Sequence, residues 1–287
     1  MLVAPLPTTL FTTRNGAEEE PVTSGTETFQ ISKGQAEIYE SKFVPAIFAQ
    51  WSPLLVDAAD VGPGDSVLDV ACGTGVFARA AADRVGPTGT VTGIDLSEGM
   101  LTVGRRLRPD LDWRRGDAED LPFEDASFDA VVCQSGLMFF SDVTAALREM
   151  RRVARPEGRV AVQVYASLED QPGYGPWVQM VARHAGPDAI RLLSTYWSLG
   201  DLDALCSRFA AAGLHDPVVR TGTGTARFGS IKDMVRTEID ATPLVDRIGD
   251  AVYRDIITES AQVLRPFRTA DGLHLPIVAH ILSATRP

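Results

Sequence analysis

The chain is short of cysteine, of histidine and of basic charge. Its three cysteines, Cys72, Cys133 and Cys206, stand far apart with no CxxC spacing. That argues against a disulfide framework or a zinc site and fits a reducing, cytoplasmic setting. The four histidines, His184, His215, His274 and His280, fall in no Asp/Glu/His cluster, so no metal and no catechol-type magnesium site is expected. Lys and Arg number 27 against 38 Asp and Glu, a net charge of -11. Such an acidic chain lacks long-range attraction to phosphate backbones, and nucleic acid is not an expected partner. No apolar run approaches a membrane span, and no internal repeat is visible. The opening "MLVAPLPTTLFTTRNGAEEEPVTSG" has no basic segment followed by an apolar one, so it is not a secretory signal. Residues 1–28 are expected to be a mobile leader.

What the chain does have is an ordinary globular balance, 45% hydrophobic and 23% charged over 287 residues, enough for a substantial core. Residues 34–61, "GQAEIYESKFVPAIFAQWSPLLVDAADV", carry apolar residues at mostly helical spacing, with Pro45 and Pro53 placed to break the stretch into two helices. Strand-like and helix-like segments then alternate. "DSVLDVA", "GTVTGIDLS", "LDWRRGDAEDLPF", "SFDAVVCQSGLMFF" and "GRVAVQVYA" read as or contain strands. "GVFARAAADRVG", "EGMLTVGRRLRP" and "VTAALREMRRVARPEG" read as helices, the last capped by Ser141 or Asp142. The arginines of that last helix, Arg155 included, suit its negative end. Alternation of this kind predicts an α/β fold with a doubly wound parallel sheet, whose ligands lie beyond the carboxyl ends of the strands.

Those ends carry the chemistry. Gly73-Thr74-Gly75 breaks "SVLDVACGTGVFARAAADRVG" between a strand and a helix, and Asp95 follows about twenty residues on. The spacing fits a dinucleotide fingerprint, so a nucleotide-dependent oxidoreductase competes. Asp69 separates the readings. A pyrophosphate on this turn would face a carboxylate, whereas a cationic ligand would be attracted to it. S-adenosylmethionine (SAM) carries a sulfonium and an ammonium and no phosphate. Glycines let the backbone approach its methionine part. Asp69 suits its cationic end and Asp95, beside Leu96, its ribose hydroxyls. Asp117 suits the adenine amine, the Ala118 N–H a ring nitrogen, and Met100 and Leu121 the adenine faces.

Residues 67–166 resemble the class I SAM-dependent methyltransferases, in particular those of quinone biosynthesis. The resemblance rests on "VLDVACGTG", "GIDLSEGML", "GDAEDLPFEDASFDAVVCQSGLMFFSD" and "ALREMRRVARPEGRVAV" in order. It implies a seven-stranded Rossmann-like sheet in the order 3-2-1-4-5-7-6 with the last strand antiparallel. "DPVVRTGTGTARF" and "LHLPIVAHILSATR" would be strands six and seven. It also implies SAM as cofactor and a methyltransferase activity, with a SAM-binding protein lacking transfer as an alternative. "AEIYESKFVPAIF" resembles the group's N-terminal helix, which places Tyr39 and Phe43 over the cofactor as a lid within residues 29–60. The SAM-binding domain would run 61–287, with helical insertions at about 168–213 and 230–267 roofing the substrate.

Other candidates carry competing readings. Gln134 either faces the methionine part or satisfies loop backbone. His184, in the first insertion, is the one histidine placed to act as a base, against the plain reading of an exposed residue near a helix end. Tyr174, Trp177, Tyr196 and Trp197 either line a flat apolar pocket or form the roof's own core. Cys72 reads as packing. The expected acceptor is an apolar, aromatic or polyketide-like small molecule, methylated at oxygen or carbon, and a homodimer is allowed.

Overall fold

The computed structural model describes residues 32–240, 244 and 247–287, so the expectation for residues 1–28 lies outside the described residues. Ser32 starts the first helix with a capping box: its hydroxyl accepts from the Gln35 N–H, and the Gln35 side chain accepts from the Ser32 N–H. The helical run then continues as α1 (Lys33–Ile38), a π-helical stretch (Tyr39–Phe48), a 3-10 turn (Ala49–Trp51) and α2 (Ser52–Ala58). Neither proline breaks it, contrary to expectation. Pro45 lies inside the π-helical stretch, whose wider turn accommodates the missing donor. Pro53 sits in the first turn of α2, where its N–H is not needed.

The alternating region follows as β1 (Ser66–Val70), α3 (Val76–Val85), β2 (Thr90–Asp95), α4 (Glu98–Leu107), β3 (Asp112–Arg115), β4 (Phe128–Gln134), α5 (Val143–Val153) and β5 (Ala154–Tyr165). Asp142 is the α5 cap, accepting from the N–H groups of Thr144 and Ala145. The helix ends earlier than its arginine pattern suggested. Arg155 precedes Pro156, which disfavours the helical region, and it lies in β5 instead, paired with Asp129. Next come α6 (Tyr174–Ala185), α7 (Asp188–Leu193), α8 (Leu202–Ala211), β6 (Val218–Phe228), α9 (Ile231–Asp240), α10 (Asp250–Val263), β7 (Arg268–Thr269) and β8 (Gly272–Thr285).

The sheet order is β3-β2-β1-β4-β5-β8-β6, with β1 to β5 parallel and β8 antiparallel to both β5 and β6. This is the expected seven-strand path. The long final strand is β8 because the two-residue β7 precedes it and pairs with it alone. Central strands bury both faces. Ala130 and Val132 of β4 join the core against α2 and α3, while Val131 and Cys133 join the core against α5 and α8. So α8 covers the sheet and is not part of the roof, although it falls within residues 168–213. A third apolar cluster unites α6, α9 and α10 with Phe48 and Trp51, over the carboxyl edge of the sheet. Its members include Trp177, Val178, Met234, Val235 and Ile256.

Candidate active site

A cavity of about 270 Å³ lies at the carboxyl ends of β1, β2 and β4, between the sheet and the roof. The turn after β1 makes its floor. Ala71 has φ 54°, Gly73 56° and Gly75 83°, so the chain bends through left-handed conformations before α3. Ser135, after β4, also has φ 54°. Two non-glycine residues held in this region, both lining one cavity, store strain of order 1–3 kcal/mol each at the place where ligands bind in such sheets.

Acidic side chains surround the turn. Asp69 ends β1 and is 1% exposed; its carboxylate accepts from the Ala78 N–H at 3.0 Å, in the first turn of α3. Asp95 ends β2. One of its oxygens accepts from the Gly73 N–H and the other from the Ser97 N–H, both at 2.8 Å, so it ties the glycine turn to the start of α4. Burial pushes the Asp69 carboxyl up to about 8, with the Ala78 N–H opposing and Asp95 adding to the rise. Burial also raises Asp95, against its two backbone donors. Asp117 accepts from the Glu119 N–H at 2.9 Å and lines the same end as Leu96, Met100 and Ala118. Leu121 is buried away from the cavity, in the sheet core.

The opposite wall is aromatic. Tyr39, Phe43 and Phe48, from the π-helical stretch, line the cavity with ring centroids 6.1 Å apart for Tyr39–Phe43 and 5.3 Å for Tyr39–Phe48. Glu40 binds this stretch to the floor, accepting from the Thr74 hydroxyl at 2.5 Å and from Arg79 at 2.9 Å. Gln134 anchors it from β4: its amide oxygen accepts from the Ser52 hydroxyl at 2.8 Å and its amide nitrogen donates to the Phe48 carbonyl at 3.0 Å. The Gln134 side chain is therefore occupied by backbone and helix anchoring, although the residue lines the cavity.

Three of the expected site residues stand apart from the cavity lining. Thr74 and Gly75 do not line it. Thr74 is spent on Glu40. Gly75 makes room for Trp113, whose ring carbon would sit 2.1 Å from a Cβ there. His184 ends α6, with Nε2 2.6 Å from the Glu259 carboxylate of α10, and does not line the cavity either. Of the four roof aromatics, Tyr196 lines the cavity, while Tyr174, Trp177 and Trp197 are buried in the roof's own core.

Sequence reasoning missed Glu238, on α9, which lines the cavity beside Tyr196 and accepts a 2.9 Å hydrogen bond from the Tyr174 hydroxyl. The signal was present. Ile231, Met234, Val235, Glu238 and Ile239 follow the i, i+3, i+4, i+7, i+8 stripe of a buried helix face, with a carboxylate at one apolar position. Burial pushes it up to about 7, against the Tyr174 hydroxyl that lowers it. In all, Asp69, Asp95, Asp117, Glu119 and Glu238 line the cavity, and among the described residues no lysine, arginine or histidine does.

Residues 68–162 match the family model described as a methyltransferase domain. They contain the glycine turn, Asp69, Asp95, Asp117 and Gln134 of the cavity. Two curated relatives are demethylmenaquinone methyltransferases. That of Renibacterium salmoninarum is 44% identical over 128 residues, 45% of this chain and 51% of the relative. That of Staphylococcus aureus strain JH9 is 45% identical over 113 residues, 38% of this chain and 47% of the relative. The chain thus spans about half the length of the curated relatives it matches. Solved structures share the fold. YcgJ from Bacillus subtilis superposes with a TM-score of 0.55 at 21% identity, covering 83% of this chain and 98% of that one. Haemonchus contortus phosphoethanolamine N-methyltransferase 2, in complex with SAM, superposes with a TM-score of 0.57 at 20% identity, covering 89% and 57%. Outside the methyltransferase domain, the roof helices α6, α7, α9 and α10 close the cavity. Among the described residues no helix is long and apolar enough to cross a membrane.

Proposed function

We propose that the chain is a SAM-dependent methyltransferase acting on an apolar, aromatic small molecule of the quinol type. The observation that carries this reading is the acidic lining of the cavity: five carboxyl groups, which a bound cation would favour in their charged form, and, among the described residues, no basic side chain. A dinucleotide pyrophosphate would meet only repulsion there, whereas a sulfonium with an α-ammonium would be attracted. The residues fit that cofactor. Asp69 faces the cationic end, Asp95 retains acceptor capacity for ribose hydroxyls beyond its two backbone donors, and Asp117 with Ala118 serves the adenine. SAM, once bound, supplies an electrophilic methyl group.

The chain's own residues then align an acceptor and exclude water. Tyr39, Phe43 and Phe48 cover the turn, and Phe139 and Tyr196 supply apolar surface on the acceptor side. Alignment of this kind contributes several kcal/mol to methyl transfer by itself. The quinol class follows from the relatives' substrate name together with this aromatic wall. Calorimetry tests the cofactor: SAM and its demethylated product are expected to bind in the micromolar range and NADH not at all. Methyl incorporation into quinols, read by a mass gain of about 14 for one CH2, tests the reaction. Tight NADH binding with no response to SAM would overturn both.

A further inference from the structure

Inside a mostly apolar roof the two insertions share buried polar contacts, Trp177 Nε1 donating to the Ser260 hydroxyl at 2.9 Å and Tyr174 donating to Glu238, and of these acceptors Glu238 lines the cavity. Tyr174 of α6 is 2% exposed and donates to Glu238 of α9, 64 residues away. The Trp197 ring packs against that of Tyr174, with centroids 5.0 Å apart and planes tilted by 49°. Glu238 is partly accessible, and it opens on the cavity beside Leu192, Leu193, Thr195 and Tyr196. The ionisable groups that act on it or feel it are tyrosines: Tyr174 from α6, Tyr196 from the turn after α7 and Tyr165 from β5. Among the described residues no ion pair with Glu238 is found. A carboxylate placed on an apolar helix stripe, desolvated and given one hydroxyl donor, is costly to folding. Its accessible side faces the cavity and whatever fills it.

We propose that Glu238 is the general base for an acceptor bearing a phenolic or hydroquinone hydroxyl, with Tyr174 as its positioning residue. The proposal rests on the cofactor reading above. The cavity's charge favours a neutral acceptor, since a carboxylate or phosphate would find no counter-ion. An amine would be held by Glu238 as its ammonium, with no lone pair to attack. A phenol is neutral when it binds and becomes a nucleophile when its proton leaves. In the step, the O–H proton passes to the Glu238 carboxylate and the acceptor gains electron density. A new bond to the methyl carbon forms as the methyl–sulfur bond breaks, and that electron pair stays on sulfur, giving the neutral thioether. Attack through oxygen ends there, with the proton on Glu238. Attack through a ring carbon is followed by loss of the ring proton to water, and the phenolate oxygen recovers its proton from Glu238.

Glu238→Gln keeps an acceptor for the Tyr174 hydroxyl and removes the base. With a panel of phenols and naphthoquinols of graded acidity, thioether release should fall at least about 100-fold in kcat, while calorimetric SAM affinity stays within about twofold. Wild-type kcat should rise with pH through an acid limb near 7, and the variant should lack that limb. More acidic phenols should lose less. Tyr174→Phe should move the limb to higher pH, because the lost donor stabilised the carboxylate. Infrared difference spectra of the unliganded protein should show protonated carboxyl intensity titrating over this range, part of it from Asp69, and the component centred near 7 should be absent from Glu238→Gln. A variant with unchanged kcat and pH limb would overturn the proposal. So would a protein that binds SAM yet turns over no member of the panel, or an infrared component near 7 that Glu238→Gln leaves in place. Failure to bind SAM would instead overturn the cofactor reading, and this proposal with it.

Discussion

Replacing Asp69 by asparagine removes the most deeply buried charge of the cavity and keeps its shape. The Asn carboxamide oxygen can still accept from the Ala78 N–H, now 3.0 Å from the carboxylate. The native carboxyl stands near 8, against an ordinary value of 3.8. A raised folded value means that the native state holds its proton more tightly than the unfolded chain. The stability this contributes is fully present below about pH 4 and is lost as pH rises through about 8. Over that window the advantage of Asp69→Asn over wild type should grow by about 1.4 kcal/mol per pH unit, reaching about 6 kcal/mol at full ionisation. The residue is 1% exposed, so solvent screening does not reduce this much. Asp95, also raised and close enough to repel, will ionise more readily in the variant and take back part of the gain. Urea unfolding at pH 4, 6 and 8 measures it: the two proteins should be closest at pH 4, with the variant's relative gain growing to several kcal/mol at pH 8. The binding side has the opposite sign. A bound cation favours the carboxylate, so wild type should release a proton on taking up SAM below pH 8, and its affinity should rise with pH to a plateau there. Calorimetry in buffers of different ionisation heat reads the released proton, and Asp69→Asn should bind weakly and release none. Parallel stability curves, or SAM uptake without proton release in wild type, would refute the argument.

Asp95→Ala should weaken SAM by at least about tenfold in calorimetry. It should also lower urea stability by about 1–3 kcal/mol, because the Gly73 and Ser97 N–H groups lose their acceptor. Gly75→Ala forces a left-handed φ of 83° on an L residue and drives a Cβ into Trp113, so thermal unfolding should report a loss of about 3 kcal/mol or more. Glu40→Ala releases Thr74 and Arg79 from the π-helical stretch. Hydrogen exchange in residues 39–48 should quicken, and SAM affinity should drop by about fivefold, the equivalent of about 1 kcal/mol.

The first five strands were legible because each carries a local signal, whereas β6 and β8 were expected only from the family resemblance and β7 was not expected. Buried runs such as "SVLDV" are bounded by Gly or Asp, helices begin at Ser97 and Asp142, and the glycine turn follows β1. The floor of the cavity was legible for the same reason: Asp69, Gly73, Asp95 and Asp117 lie at strand ends, and strand ends converge in a parallel sheet. Helix continuity across Pro45 was not. A π-helical widening depends on what the stretch packs against, here β6 and the roof cluster that Phe43, Ile47 and Phe48 join, and proline alone reads as a break. Gly75 looked like a ligand glycine. Its reason is an indole from β3, 38 residues on, which no local pattern connects to it.

Sequence by itself determined the order of elements, the acidic character of the strand ends and the match of residues 68–162 to a methyltransferase-domain family model. These follow from periodicity and short motifs, which act over a few residues. Tertiary structure alone decided which side chains of the insertions face the cavity. It turned His184 outward to Glu259, sent α8 to the sheet, and brought Tyr174 and Glu238 together across 64 residues. Those outcomes depend on how α6, α9 and α10 pack on one another. That packing is set by burial of apolar surface, which has no direction, so many arrangements satisfy the same stripe of residues and only the folded chain selects one.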